Sequence, residues 1–243
     1  MLCLAAAPGR AEGPSQILVS ATGLAKTPPD RVTIGFNLRG EGTTSDEAVA
    51  KLRDDARRVN EGTASLLGNT SKYHASNLTI AQVRSRECDA SPYGQQRLSV
   101  GPCAVIGYVA TMPASIDTPR VAEAGTLTGL ISRLGGVDVG IHLFWLSDQA
   151  AARRRAMQAA LANAHDQAGL IAEGSGAKLG PLLRVQDADY QEISLEPTAT
   201  PLAEGPPTPP PPPPPPPPPI QVDMAPQPIQ TTVRLMVAYA INR

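Results

Sequence analysis

The stretch Ile229–Ile241, IQTTVRLMVAYAI, decides the fold. Ile229, Thr231, Val233, Leu235, Val237, Tyr239 and Ile241 recur at every second position, the signature of a strand with one buried face. A lone strand cannot bury a face, so this one must pair with the body of the protein. Yet it follows eleven consecutive prolines, Pro209–Pro219. Proline has no backbone donor and cannot join a sheet interior, so the run holds an extended polyproline conformation. With foldable sequence on both sides, the segment at about 197–228 is predicted to be a loop insertion that arches outward, not a tail. Its ends, Thr198–Thr208 and Gln221–Pro228, are expected to be flexible and to absorb the reversal.

The same alternation appears at the other end of the chain. In RVTIGFNLRG, Val32, Ile34, Phe36 and Leu38 alternate with Thr33, Gly35, Asn37 and Arg39. SQILVSATG reads as its hairpin partner across the Thr27–Asp30 turn. Thr44 and Glu47 form a capping-box pair that opens a helix carrying Val49, Leu52, Ala56, Val59, Thr63 and Leu66 on one face. SNLTIAQVRSRE and CAVIGYVATMP read as two strands. A second helix is predicted from about Asp117, with Pro119 in its first turn and Gly135-Gly136 at its end. VGIHLFWLSD reads as a strand, and Ser147 as the cap of a third helix with alanines at 152, 156, 160, 164, 168 and 172. GPLLRVQDADYQ supplies another strand. The order is roughly ββαββαβαββ, an α+β fold in which about three helices cover a mostly antiparallel sheet.

Composition narrows the function. With 21 basic and 22 acidic residues the net charge is −1, which gives no basic field for nucleic acid. The densest basic cluster, ARRR at 152–155, reads as a solvated helix face. No run approaches the length of a transmembrane segment. Residues 1–15, beginning MLCLAAAPGRAEG, fit either the remnant of a secretory signal with a small-x-small site at Gly9–Ala11 or a disordered N-terminus.

The order of elements and several motifs together resemble the SIMPL-domain family of bacterial periplasmic immunogenic and oxidative-stress defence proteins. ILVSATGLAKTPPDRVTIGF looks like the family's opening hairpin, and IGYVA at Ile106–Ala110 like its central strand. The alanine-rich helix with its Gly-x-x-Leu-Gly exit at Gly176–Gly180 is similar to the family's long helix. Gln167 stands where the family usually carries lysine. The resemblance covers nearly the whole chain after residue 15, so 16–243 is expected to be one SIMPL-like domain with the proline insertion. It implies a periplasmic or secreted protein, with a cytoplasmic location the alternative if the N-terminus is not a signal. In an oxidising envelope, Cys88 and Cys103, which flank the loop between two predicted strands, are expected to form a disulfide. The resemblance also implies a homo-oligomer. The family brings no catalytic residues.

Motifs for chemistry are sparse. There is no G-x-S-x-G, and EGSGAK at Glu173–Lys178 lacks the spacing of a P-loop and reads as a helix cap. Asp187 and Asp189 lie two apart on a strand, which reads as a solvated strand end rather than a cation site. His142 reads as a core or interface residue, His74 as an exposed loop residue, and Trp145 as packing a helix on the sheet. No spacing suggests a metal or cofactor. Met224 and Met236 are candidate oxidant-scavenging thioethers. The expected function is therefore non-enzymatic, through assembly or partner binding in the envelope. The alternatives are an enzyme with an unrecognised site or a polyproline-presenting adaptor.

Overall fold

The computed structural model describes residues 15–88, 98–187 and 220–242. It is α+β, with two antiparallel sheets belonging to two compact units. One unit comprises, among described residues, 15–27, 148–187 and 229–242; the other comprises 28–88, 98–147 and 220–228.

The first unit is a three-stranded sheet ordered β1-β8-β7: β1 (Gln16–Thr27), β8 (Ile229–Asn242) and β7 (Lys178–Asp187). β8, which carries the alternation of Ile229–Ile241, lies at its centre. It pairs with β1 from Gln16↔Ala240 to Thr27↔Ile229 and with β7 on its other edge. Helix α3 (Gln149–Gly174) covers one face. Ala152, Ala156, Ala160, Ala164, Ala168 and Ala172 are all buried at a spacing of four, and those from Ala156 to Ala172 pack with Val19, Ala21, Val233, Leu235 and Val237. Short side chains let the helix backbone approach the strand. A Cβ on Gly23 would lie 1.9 Å from the Ala156 carbonyl oxygen and 2.2 Å from the Ala160 nitrogen. Asn163 Nδ2 donates to the Thr22 carbonyl at 2.8 Å, and Arg153 pairs with Asp187.

The second unit is a five-stranded sheet: β2 (Arg31–Gly42), β3 (Lys72–Ala75), β4 (Thr79–Arg84), β5 (Val105–Thr118) and β6 (Val137–Trp145). Its order is β3-β5-β2-β6, and β4 pairs with β5 alongside β3. Helices α1 (Ser45–Leu67) and α2 (Ala124–Arg133) bury Leu52, Val59, Leu127 and Ile131 against Val32, Ile34, Leu38 and Ile116. The capping box of α1 forms as read: Thr44 accepts from the Glu47 backbone, and the Glu47 side chain accepts from the Thr44 backbone. The hydrogen bonds that Thr43 donates to the Glu47 carboxylate hold that carboxyl below the usual range.

Several expectations need correction. β1 and β2 are not a hairpin: β1 pairs with β8, and β2 with β5 and β6. The Pro28-Pro29 link explains this. Proline cannot take the positive φ of tight hairpin turns, and Pro29 keeps Pro28 out of the helical region that a type I turn needs there. The residues covered by helices form two sheets, not one. β3, four residues long, was not foreseen, and α2 starts at Ala124 rather than near Asp117 because β5 continues to Thr118. Asp148, not Ser147, caps α3, accepting from the Ala151 backbone.

Residues 188–219, including the proline run, lie outside the described residues. Ile220–Pro228 has no regular structure, but it is not the loose end expected of it. The Val222 backbone donates to Thr126 Oγ1 at 2.8 Å, and the Met224 backbone donates to the Ala122 carbonyl at 2.9 Å. Gly125 permits this docking, since a Cβ there would meet Val222 at 2.7 Å. No helix among the described residues is long and apolar enough to cross a membrane.

Candidate functional site

The solvent face of the five-stranded sheet gathers polar groups from four strands. Thr33 on β2 stands opposite Asp117 on β5 and donates through Oγ1 to Asp117 Oδ1 at 2.5 Å. Trp145, near the end of β6, donates through Nε1 to Thr33 Oγ1 at 3.2 Å. On the far side, His74 of β3 places Nε2 3.4 Å from Asp117 Oδ2. A chain of contacts therefore runs Trp145–Thr33–Asp117–His74 across the sheet.

Next to it is a hollow of about 250 Å³, with Ser115 and Pro113 of β5 in its floor and His74 and His142 among its walls. His142 is there because β6 bulges. Thr33 pairs with Leu143 and Ile34 with Ile141, so His142 is the extra residue between them. Its imidazole rests in the notch that Gly35 leaves, where a Cβ would lie 2.1 Å from Cε1. Gly35 is buried beneath that ring.

His142 is exposed, not a core residue, and His74 is exposed as read but belongs to a strand. Trp145 does not pack a helix onto the sheet; its indole joins the polar chain on the solvent face. Asp187 pairs with Arg153, and Asp189 lies outside the described residues. Glu173–Lys178 is the helix exit as read, with Gly176 at φ 73°. Met236 is exposed at 40%, whereas Met224 packs against the core of the five-stranded unit. Thr33, Asp117 and Ser115 escaped sequence reading because only strand pairing brings them together.

Cys88 and Cys103 are joined by a disulfide with a Cα–Cα distance of 4.8 Å. It ties the end of β4 to the start of β5, and Arg84 donates to the Cys103 carbonyl at 3.1 Å beside it. At 15 residues of separation, the chain-entropy model gives about 3 kcal/mol of stabilisation. A further clasp closes the five-stranded unit where the chain enters and leaves it. Asp30 accepts from both the Ser147 hydroxyl and the Ser147 backbone, the latter at 2.7 Å, and the Asp30 backbone donates to the Trp145 carbonyl. The Ser147 hydroxyl bond, chiefly, holds the Asp30 carboxyl below its usual value.

A comparison with curated proteins finds no match. A comparison with protein families matches residues 17–239 to SIMPL, described as a protein of unknown function (DUF541). The match spans both units and nearly the whole chain, from β1 into β8. The chain belongs to the SIMPL family.

Proposed function

We propose that the chain works outside the cytoplasm as a non-enzymatic assembly or partner-binding protein, in the periplasm or secreted, in a setting of oxidative stress. Support comes chiefly from the small sheet. Among the described residues it has three strands, with β1 and β7 at its edges, and β1 is twelve residues long. Long edges invite strand addition by another chain. The β1 side chains turned away from α3 include Leu18, 60% exposed, and Leu24, 46% exposed. On β7, Pro181 removes one donor, which blunts that edge and leaves β1 the better one for pairing.

The extracytoplasmic setting is supported by the Cys88–Cys103 disulfide, since such bonds persist in oxidising compartments. Exposed Met236 suits an oxidant-rich setting, because a surface thioether oxidises without disturbing a core.

Light scattering over a micromolar concentration series tests the assembly reading. The parent should give a multiple of the monomer mass. The double variant Leu18→Lys, Leu24→Lys should shift it towards monomer with the thermal melt unchanged, because both side chains are exposed. A monomer at every concentration contradicts the reading. Intact mass of protein taken from the envelope fraction tests the setting: it should fall short of the reduced mass by two hydrogens. Recovery of the protein only from cytoplasm, with both thiols free, overturns it.

A further inference from the structure

We propose that His74 and His142 together hold a divalent transition-metal ion, copper(II) in preference to zinc(II), above Ser115. Two independent features of the fold carry this. The first is placement. His74 pairs with Ser115, and Ser115 pairs with Gly35, over which the His142 ring lies. The two imidazoles therefore flank one β5 residue from opposite sides and line the same hollow. Neighbouring strands are about 4.8 Å apart, so the His74 backbone and the Gly35 notch stand about 10 Å from each other. Two long side chains reaching inward from that separation can share one ion at the usual metal–nitrogen distance of about 2.0 Å. Both rings are exposed, so each can turn without disturbing the core.

The second feature is the support behind His74. A metal-ligating histidine characteristically gives its other ring N–H to a carboxylate, which fixes the ring and raises its basicity. Asp117 Oδ2 stands 3.4 Å from His74 Nε2, an approach that a small turn of the exposed ring would close into such a hydrogen bond, with Nδ1 then left as the donor atom for the ion. Asp117 is itself held by Thr33, and Thr33 by Trp145. Among the described residues no group of three or more His, Cys, Asp or Glu could hold a metal, so the site offers two imidazoles and leaves the remaining positions to water or to a ligand from another molecule. Imidazole donors without thiolate suit copper(II), the strongest binder of the divalent first-row series.

Trp145, the only tryptophan of the chain, reports on the site through its link to Thr33 and Asp117. Titrating the full chain with copper(II) sulfate in a non-coordinating buffer should quench its fluorescence saturably, at one ion per chain. The variant His74→Asn, His142→Asn should abolish saturation, while His165→Asn should leave it intact. Gly35→Ala, which pushes the His142 ring from its notch, should weaken binding in the same direction. Asp117→Asn, acting as a positioning change, should weaken it about tenfold with the metal-free thermal melt of the variant retained. The proposal is overturned if no saturable quenching occurs, or if the double histidine variant binds copper(II) as the parent does.

Discussion

Both helix–sheet interfaces of this protein bring a helix backbone down onto a strand glycine, α1 onto Gly40 and α3 onto Gly23, but they fill the remaining space differently. In the five-stranded unit, large side chains interlock: Leu52, Leu127 and Ile131 from the helices fill the space over Val32, Ile34 and Leu38. In the three-stranded unit the helix contributes only alanines to the fully buried stripe, and the backbone of α3 rests almost directly on Gly23. Around its glycine contact the first interface is filled by large helix side chains, whereas the fully buried stripe on the helix side of the second is built from alanines alone. The two units therefore tolerate different mutations. An interlocked core is injured by removing methylenes and a close-packed one by adding them.

The largest effect should come from deleting residues 229–243. This removes the central strand of the small sheet and with it Val233, Leu235 and Val237, all nearly inaccessible to solvent. β1 and β7 then lose their common partner, and the three-stranded unit should lose its cooperative melt. A Gly/Ser linker of the same length in place of Pro206–Pro219 should instead melt close to the parent, since even doubling a loop costs only about 0.6 kcal/mol. If the deletion melts like the parent, β8 is not part of the core.

Next in size, Leu127→Ala in the five-stranded unit should cost about 2–5 kcal/mol by leaving a cavity, measured by urea denaturation. A cost below about 1 kcal/mol would mean that this core collapses around the gap and does not depend on volume.

The smallest effect concerns the Asp30–Ser147 clasp. The folded state depresses the Asp30 carboxyl, so its contribution is present above the unfolded-state value of about 3.8 and is lost as pH falls through the lower folded-state value. Thermal melts of the parent and Asp30→Ala should therefore differ at neutral pH and converge in acid, below about pH 3.8. A gap that stays constant into acid would mean that the charge on Asp30 plays no part.

Much of the fold was legible because periodicity is a local property. The alternation of β2 and β8, the capping box at Thr44 and the alanine stripe of α3 are all read within a few residues. Pairing is not local. β1 finds its partner in β8, at the far end of the chain, and no period within Gln16–Thr27 records that. β3 has four residues, too short for alternation to show. The polar face was hidden for both reasons: His142 sits in a bulge where the period breaks, and His74, Ser115 and Gly35 become neighbours only through the order β3-β5-β2. The disulfide was legible because its two cysteines bracket a loop between strands that are adjacent in sequence and in the sheet.

The alanine stripe of α3 packs by closeness alone, and the variant Gly23→Ala probes that contact. The atoms in the way belong to the α3 backbone, the Ala156 carbonyl oxygen at 1.9 Å and the Ala160 nitrogen at 2.2 Å, so no side chain can turn aside. One added methyl must push the helix off the sheet, at a cost of about 1–3 kcal/mol or more. A thermal melt of this single variant should fall by at least about 5 °C. A melt indistinguishable from the parent would contradict the account, because α3 would then have room that the close-packed interface does not allow.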